Sequence, residues 1–444
     1  MSTICAISTP YGVGGIAVVR VSGAEAISIV DSLFQGKQKL TEGQARRAYY
    51  GHIVRNGEVL DEVMVTLFLA PHSYTGEDMV EIACHGSVYI QRELLQWLIQ
   101  AGATLAKAGE FTQRAFLNGK LDLTQAESVA DIIASQSKAE KDIALAQLKG
   151  GVSQKLQQLR EQLLQFTSLI ELELDFADHE DLEFADRNEL QQLVQTIQTE
   201  LETLIDSFQV GNAIKNGIPV AIIGAVNAGK STLLNALLGE QRALVSNIPG
   251  TTRDTIEECI TIGDKLFRLI DTAGLRTTED QVEQMGIERT KESIRKAKIV
   301  IEVIDSTNPQ RLSFTPEKTQ DKIWIYAYNK ADLATQNTEN QKDNLTVHIS
   351  AKNNQISPLL AILQNVFSDY DTSSVLISNT RHFEALSKAL QALKQLQQNM
   401  ANHLPEDLLA VDLHDCLDAL GEITGEITSQ EVLNNIFAKF CIGK

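Results

Sequence analysis

Basic residues are in short supply: 39 Lys and Arg face 58 Asp and Glu, a formal charge of −19. A surface that acidic repels phosphate backbones and anionic headgroups, so strong direct nucleic-acid binding is not the expectation for the chain as a whole. Cysteine is as sparse. The five (Cys5, Cys84, Cys259, Cys416 and Cys441) form no CxxC pair and lie near no histidines at zinc spacing, which argues against a disulfide framework or zinc finger and fits reduced thiols in the cytosol. No apolar run approaches the roughly 18 residues that span a bilayer, and Met1 to Pro10 lacks the basic start and apolar core of a signal peptide. A soluble, cytoplasmic protein is expected. There is no internal repeat and no low-complexity tail, and prolines number only eight.

What is present is length and three textures. A chain of 444 residues exceeds one ordinary core, so two to four domains are expected. To about Lys120, short apolar runs (Ile16 to Val21, Val63 to Leu69, Met79 to Ala83) alternate with turn residues around one helical stretch, Ser87 to Ala101. From Thr124 to about Phe208 apolar residues fall at helical spacing, as in Leu156, Leu159, Leu163, Leu164 and Phe166. An acidic break from Asp175 to Asp186 interrupts those helices, and a solvated turn accounts for its charge. Beyond Gly217, five apolar runs (Ile218 to Ile223, Leu266 to Ile270, Ile299 to Ile304, Ile323 to Tyr328, Leu345 to Ile349) predict a parallel sheet with crossover helices. Helices return at His382 to Met400, Glu406 to Leu420 and Gln430 to Phe440. Helical texture on both sides of an α/β block predicts an inserted domain within a discontinuous helical one.

Gly224-Ala-Val-Asn-Ala-Gly-Lys230-Ser231 follows a predicted strand and opens a predicted helix, Ser231 to Leu238, as a phosphate-binding loop requires. Its glycines let backbone N–H groups turn to the phosphates, Lys230 supplies a mobile charge, and the Ser231 hydroxyl can ligate Mg2+. Asn227, Ala228, Gly229 and Thr232 complete the expected phosphate contacts. Asp271-Thr272-Ala273-Gly274 ends another predicted strand, so its carboxylate can reach Mg2+ through water and the Gly274 N–H can face the γ-phosphate. In Asn329-Lys330-Ala331-Asp332 the last carboxylate can accept two hydrogen bonds from guanine N1 and N2, which adenine cannot offer. Ser350-Ala351-Lys352 supplies a backbone N–H for guanine O6. Between loop and sensor, Ser246-Asn-Ile-Pro-Gly-Thr251-Thr252-Arg253-Asp254 sits where a switch segment ligates Mg2+ through a threonine, here Thr252. The order of these segments predicts a GTPase. One part is missing, since Leu275 follows Gly274 where Ras-type enzymes carry the glutamine that orients the attacking water.

The chain resembles the bacterial MnmE (TrmE) tRNA modification GTPases of the TrmE-Era-EngA-like superfamily. The likeness rests on Thr9-Pro-Tyr-Gly-Val-Gly-Gly15, Tyr74-Thr-Gly-Glu-Asp78, His85-Gly86, Gly109-Glu-Phe-Thr112, Arg114-Ala-Phe-Leu-Asn118, Lys120-Leu-Asp-Leu123, the nucleotide motifs and the terminal Phe440-Cys-Ile-Gly-Lys444. It departs modestly: Ala108 stands where Pro is usual, and the segment before Asn329 is short.

That resemblance implies a multidomain α+β and α/β chain. Its parts would be an N-terminal folate-binding, dimerising α+β domain (1–120), a helical domain in two pieces (121–212 and 375–444), and an inserted Ras-like P-loop G domain (213–374). It implies GTP, Mg2+, K+ and a tetrahydrofolate derivative, 5-formyl or 5,10-methylene, as ligands. It also implies a homodimer and a heterotetramer with the flavoprotein MnmG, which carries FAD. Together these install an aminomethyl or carboxymethylaminomethyl group on C5 of the wobble uridine, the tRNA being held mostly by the partner. The missing glutamine would be replaced by K+ on Asn227, Ser246, Ile248 and Thr251 and by a water held by Glu283, with Lys230 also in the catalytic set. Without the resemblance, Glu283 reads as one solvated acid among several between Glu279 and Glu288.

Folate contacts carry over to Arg20, Glu81 and Lys120, with Lys444 from the C-terminus, whereas unaided reading makes Arg20 a strand-end surface residue. Cys441 is either a functional thiol or a tail residue that helps to seat Lys444. Arg253 and Arg276 receive no role. Two other readings fit less well. A ribosome-assembly GTPase of the Era or EngA kind would show a basic KH domain or tandem G domains, and a one-carbon carrier would use its G domain only for regulation.

Overall fold

The computed structural model describes residues 1–175, 186–241, 258–270, 283–311, 322–334, 345–366 and 375–443. They form two compact units, Met1–Ala130 with Gln147–Leu193 and Gln391–Lys444, and Asp131–Ala146 with Val194–Leu390.

The first unit holds seven strands: β1 (Ile4–Ile7), β2 (Ile16–Ser22), β3 (Phe34–Gly36), β4 (Ala48–Arg55), β5 (Glu58–Phe68), β6 (Met79–His85) and β7 (Thr104–Leu105). They lie in the order β3-β4-β5-β6-β2-β1-β7, antiparallel except for the β1–β7 pair. Alternation decides the faces. Val19, Val21, Val63, Val65, Leu67, Val80 and Ile82 are buried with Leu94, Trp97 and Leu98 of the helix Val88–Gln100 and Ile29 and Val30 of the helix Ala26–Asp31. The opposite register carries Arg20 and Glu81, and toward the far end of β6 the exposed Ile16 and His85. β4 is a strand that the apolar pattern did not flag. Its turn, Asn56-Gly57, has φ of 51° and 84° at the two central positions, the positive pair that two-residue hairpins demand.

In the same unit the helices Gly151–Asp175 and Glu406–Thr424, on opposite sides of the nucleotide motifs in sequence, pack together. His414 Nε2 meets Glu171 Oε1 at 2.7 Å and Arg160 pairs with Glu426 at 2.6 Å. The helical domain is therefore discontinuous in sequence. The final helix, Gln430–Phe437, stops three residues before the expected Phe440. Its tail crosses to the first sheet, where Ile442 bridges Ala108 and the Ser8 hydroxyl donates to the Gly443 carbonyl at 3.2 Å. Gly443, at φ 93°, lies so close that a Cβ there would overlap the Ile7 carbonyl.

The second unit holds β8 (Ile218–Gly224), β9 (Glu258–Ile262), β10 (Lys265–Leu269), β11 (Ile299–Asp305), β12 (Ile323–Asn329) and β13 (Thr346–His348), in the order β13-β12-β11-β8-β10-β9. Five strands run parallel as expected. β9 corrects the all-parallel expectation: it is an antiparallel edge joined to β10 through Gly263-Asp264, whose first position takes φ 64° as a tight hairpin needs. Leu233, Leu234 and Leu237 of the helix Lys230–Gln241 and Leu359 and Leu363 of Ser357–Asn365 cover one face. Ile294 of the helix Glu283–Lys296, together with Ala297, covers the other. Such a doubly wound sheet opens a crevice at the C-terminal ends of strands where the order reverses, and β8 ends there. The acidic break, its residues 176 to 185, lies outside the described residues. No described helix is long and apolar enough to cross a membrane.

Candidate functional site

β8 delivers the chain to Gly224, and the loop turns sharply before the helix Lys230–Gln241. The turn depends on Gly224 (φ 145°), Asn227 (φ 61°) and Gly229 (φ 97°). A Cβ on Gly224 would overlap the Val303 carbonyl and one on Gly229 would overlap Asn329 Nδ2, so backbone and side chain approach where only glycine fits. Lys230 Nζ lies back across the loop and donates to the carbonyls of Gly224 at 2.9 Å and Ala225 at 2.7 Å. Burial pulls its pKa below the ordinary lysine value. Ser231 and Thr232 are exposed at the start of the helix, and Asn227 is exposed above the loop.

Asn329, at the end of β12 and 3 % exposed, ties two segments together. Its Nδ2 donates to the Ala228 carbonyl at 2.9 Å, and its Oδ1 accepts from the Ala351 N–H at 3.0 Å. The phosphate loop and the Ser350-Ala351-Lys352 loop are thus set against each other by one amide. Asp332 is exposed, and the Ser350 hydroxyl, donating at 2.6 Å, holds its carboxyl below the ordinary range. An ionised acceptor facing solvent beside a fixed backbone loop can read a base edge that offers two donors. Lys330, at φ 61°, reaches Asp305 at the end of β11 with a 2.6 Å ion pair. Burial opposes ionisation of Asp305, but the bonds from Lys330 and Thr307 outweigh it and lower its pKa. Sequence reading missed Asp305. Its signal was an acid at the C-terminal end of a central parallel strand.

Ser246, Ile248, Thr251, Thr252, Asp271, Thr272, Ala273 and Gly274 lie outside the described residues, as do Arg253, Leu275, Arg276 and Lys444. Glu283 is the first residue of the helix Glu283–Lys296, and its side chain also lies outside them. Among the described residues no group of three or more His, Cys, Asp or Glu could hold a metal ion. The described candidates for cations are the Ser231 hydroxyl, whose chemistry suits Mg2+, and the Asn227 amide, whose oxygen suits K+.

On the first sheet Arg20 and Glu81 are register partners, and Arg20 Nη2 meets Glu81 Oε1 at 2.8 Å. The guanidinium also lies 5.3 Å from the ring centre of Tyr74 and 5.6 Å from that of Phe111. Below, Arg114 is buried between Glu77 at 3.1 Å and Glu110 at 2.9 Å. Lys120 Nζ donates to the Pro71 carbonyl at 3.0 Å. A half-buried carboxylate beside a guanidinium flanked by rings offers donors and acceptors to a planar heterocycle such as a pterin. Tyr74, Phe111 and Glu77 carried no role in the sequence reading, because the first two meet Arg20, and Glu77 meets Arg114, only across the fold. His85, quoted only as part of a motif, forms a dyad: Nδ1 meets Asp61 Oδ1 at 2.7 Å while its N–H donates to Oδ2 at 2.7 Å. The exposed Cys441 stands beside Ile442, the tail residue that bridges Ala108.

Comparison with known proteins identifies two family models. One, the MnmE helical domain, matches residues 123–441, and the other, the GTP-binding protein TrmE N-terminus, matches residues 3–120. The chain belongs to the MnmE family of tRNA modification GTPases. Curated members span its whole length. The tRNA modification GTPase MnmE of Parabacteroides distasonis is 50 % identical, covering 100 % of both chains. That of Flavobacterium johnsoniae is 48 % identical, covering 100 % of this chain and 99 % of its own. Among solved structures, the G domain of the T. maritima FeoB iron transporter is similar at 28 % identity and a TM-score of 0.23, over 32 % of this chain and 98 % of that one. The family accounts for the N-terminal domain, the helical domain and the P-loop G domain together, and for GTP with Mg2+ as its substrate and ion.

Proposed function

We propose that this chain hydrolyses GTP to drive modification of the wobble uridine of tRNA at C5, acting as a homodimer with the flavoprotein MnmG in the cytoplasm. The observation that carries the reading is Asn329. One buried amide holds the phosphate loop and the Ser350-Ala351 loop, beside an exposed, ionised Asp332. That arrangement suits a guanine nucleotide, with the base against Asp332 and the Ala351 backbone and the phosphates over Gly229 and Lys230. Lys230, already partly desolvated, would exchange the carbonyls of Gly224 and Ala225 for phosphate oxygens. Ser231 would hold Mg2+ with Thr252 and, through water, Asp271.

In the absence of a Ras-type glutamine, K+ on Asn227, Ser246, Ile248 and Thr251 would neutralise charge that develops between the β and γ phosphates. Glu283 would orient the water, and pairing of two G domains would order the switch. Arg20, Glu81 and Lys120, with Lys444, would hold the tetrahydrofolate derivative that supplies the one-carbon unit. FAD belongs to the partner. Domain limits of 1–120, 121–212, 213–374 and 375–444 follow this reading.

The test is a modification assay with the flavoprotein, tRNA and folate. Asp271→Asn and Glu283→Ala are expected to abolish wobble modification together with GTP turnover. Modified uridine at normal levels in either variant would show that hydrolysis is not needed. Turnover as fast in sodium as in potassium would remove the ion site.

A further inference from the structure

The connection between β3 and β4 departs from the acidity of the rest of the chain. It carries Lys37, Lys39, Arg46 and Arg47, all exposed, against the single acid Glu42. None of the four cations has an ion pair among the described residues. The loop is nevertheless built, not loose. Leu40 is 1 % exposed, and its N–H donates to Asp31 Oδ1 at 2.5 Å. The Tyr49 hydroxyl, itself in the core, accepts from the Gln44 N–H and donates to the Gln44 carbonyl at 3.2 Å. A Cβ on Gly43 would crowd Leu67 and the Leu40 carbonyl. Arg46 takes φ 59°, rare for a side-chain-bearing residue, and its N–H is pinned to the Leu67 carbonyl at 2.7 Å. Free cations held on a fixed loop, with backbone strain at one of them, suggest a ligand for those cations.

Register shows what lies in line with it. Ala48, which directly follows Arg47, pairs with Thr66, Thr66 with Glu81, and Glu81 with Arg20. The basic loop thus stands at the end of the row that holds the Arg20–Glu81 pair. Three strand spacings, about 14 Å, separate Ala48 from Arg20. That span suits a strand of RNA whose phosphates rest on the loop while a base reaches toward the pair. Tyr50, 58 % exposed on the strand that follows the loop, adds an aromatic surface, its hydroxyl bonded to Glu62.

We propose that Lys37, Lys39, Arg46 and Arg47 form a contact surface for the tRNA sugar-phosphate backbone, aligned with the Arg20–Glu81 site. This rests on the reading that the chain itself touches tRNA. Four cations on a chain of net charge −19 give weak, strongly salt-dependent binding, which leaves the greater share of affinity to the flavoprotein.

The experiment measures tRNA binding by the full-length chain across about 50 to 200 mM salt. It compares the unaltered protein with the combined variant Lys37→Gln, Lys39→Gln, Arg46→Asn, Arg47→Gln. A control removes as many charges elsewhere through Lys138→Gln, Lys141→Gln, Lys149→Gln and Lys296→Gln. The first variant is expected to lose at least about tenfold in affinity and to flatten the salt slope by about 0.7 per contact, near 3 in all, while melting temperature and tRNA-free GTP turnover stay unchanged. The control is expected to keep most of the affinity. Acetylation of the unaltered chain provides a check that needs no variant: bound tRNA is expected to protect Lys37 and Lys39 but not Lys149.

Equal affinity and slope in the first variant, or no protection, would overturn the assignment of this surface. No binding by the unaltered chain even at the lowest salt would instead remove the reading on which it rests. Unchanged tRNA binding with lost affinity for phosphatidylserine vesicles or for the flavoprotein would reassign the patch to a lipid or a protein.

Discussion

Asn329 shows how much one side chain decides in the nucleotide site. Its two hydrogen bonds satisfy the Ala228 carbonyl and the Ala351 N–H, both on residues that are almost fully buried. Asn329→Ala is expected to orphan both groups and to cost about 2–4 kcal/mol. A lowered melting temperature without nucleotide and weakened GDP binding by calorimetry would register it, and unchanged values in both would refute the linking role. His85 is a second case. The Asp61 hydrogen bond raises its pKa above the ordinary 6.5. Its contribution to stability is therefore complete below the unfolded value and fades as pH rises through the raised one. An NMR titration is expected to place the His85 midpoint above 6.5 and to bring it down in Asp61→Asn. At this scale the sequence displayed Asn329, which stands in a contiguous motif. Asp61 was hidden because its partner is 24 residues away and meets it only through strand pairing.

Turns and strand ends decide matters at the scale of elements. Gly57 adopts φ 84° in open space, so Gly57→Ala tests backbone conformation alone. A loss of about 1–2 kcal/mol is expected, read as a drop in melting temperature. Gly263→Ala is expected to cost more, because its Cβ would also press on Gln364 Cγ at 3.0 Å. Apolar runs marked β2, β6, β8, β11 and β12, since strands buried on one or both faces need them. The short β1, β3 and β7 escaped notice, and so did β4 and β9. β4 mixes Tyr, Gly and His, with its signal in the Asn-Gly turn, and β9 is a short edge whose direction depends on the hairpin. The helix Lys138–Leu148 begins with Ser137 and Glu140 in reciprocal contact, Oγ to Oε1 at 2.9 Å, the spacing that marks a helix start in sequence.

For the molecule as a whole, the informative contact joins the two ends of the chain. The tail is held by backbone at Ala108, by the Ser8 hydroxyl and by the close approach of Gly443, while the Cys441 thiol is exposed. Cys441→Ser is therefore expected to keep folate affinity, and deletion of residues 441–444 to lose it, as measured by calorimetric titration with 5-formyl-tetrahydrofolate. Abolished wobble modification in Cys441→Ser with intact folate binding would restore the functional thiol. The acidity of the chain is likewise unevenly distributed, and the loop from Lys37 to Arg47 carries the cations that composition alone averages away.

By itself the sequence determined the chemistry of the nucleotide site. In the proposed reading, phosphate and base would be held there largely by backbone groups and nearby side chains of short continuous segments, which is why contiguous motifs announce them. It also determined the helical and α/β textures, because burial imposes a period on each. Only the tertiary structure decided that Arg20 faces Glu81 between two rings, that Lys330 pairs with Asp305, that the tail seats on β1, and that the basic loop stands in line with Arg20. Each of these depends on register between strands or on contact between distant segments, and a shift of one residue would send the side chains to the other face.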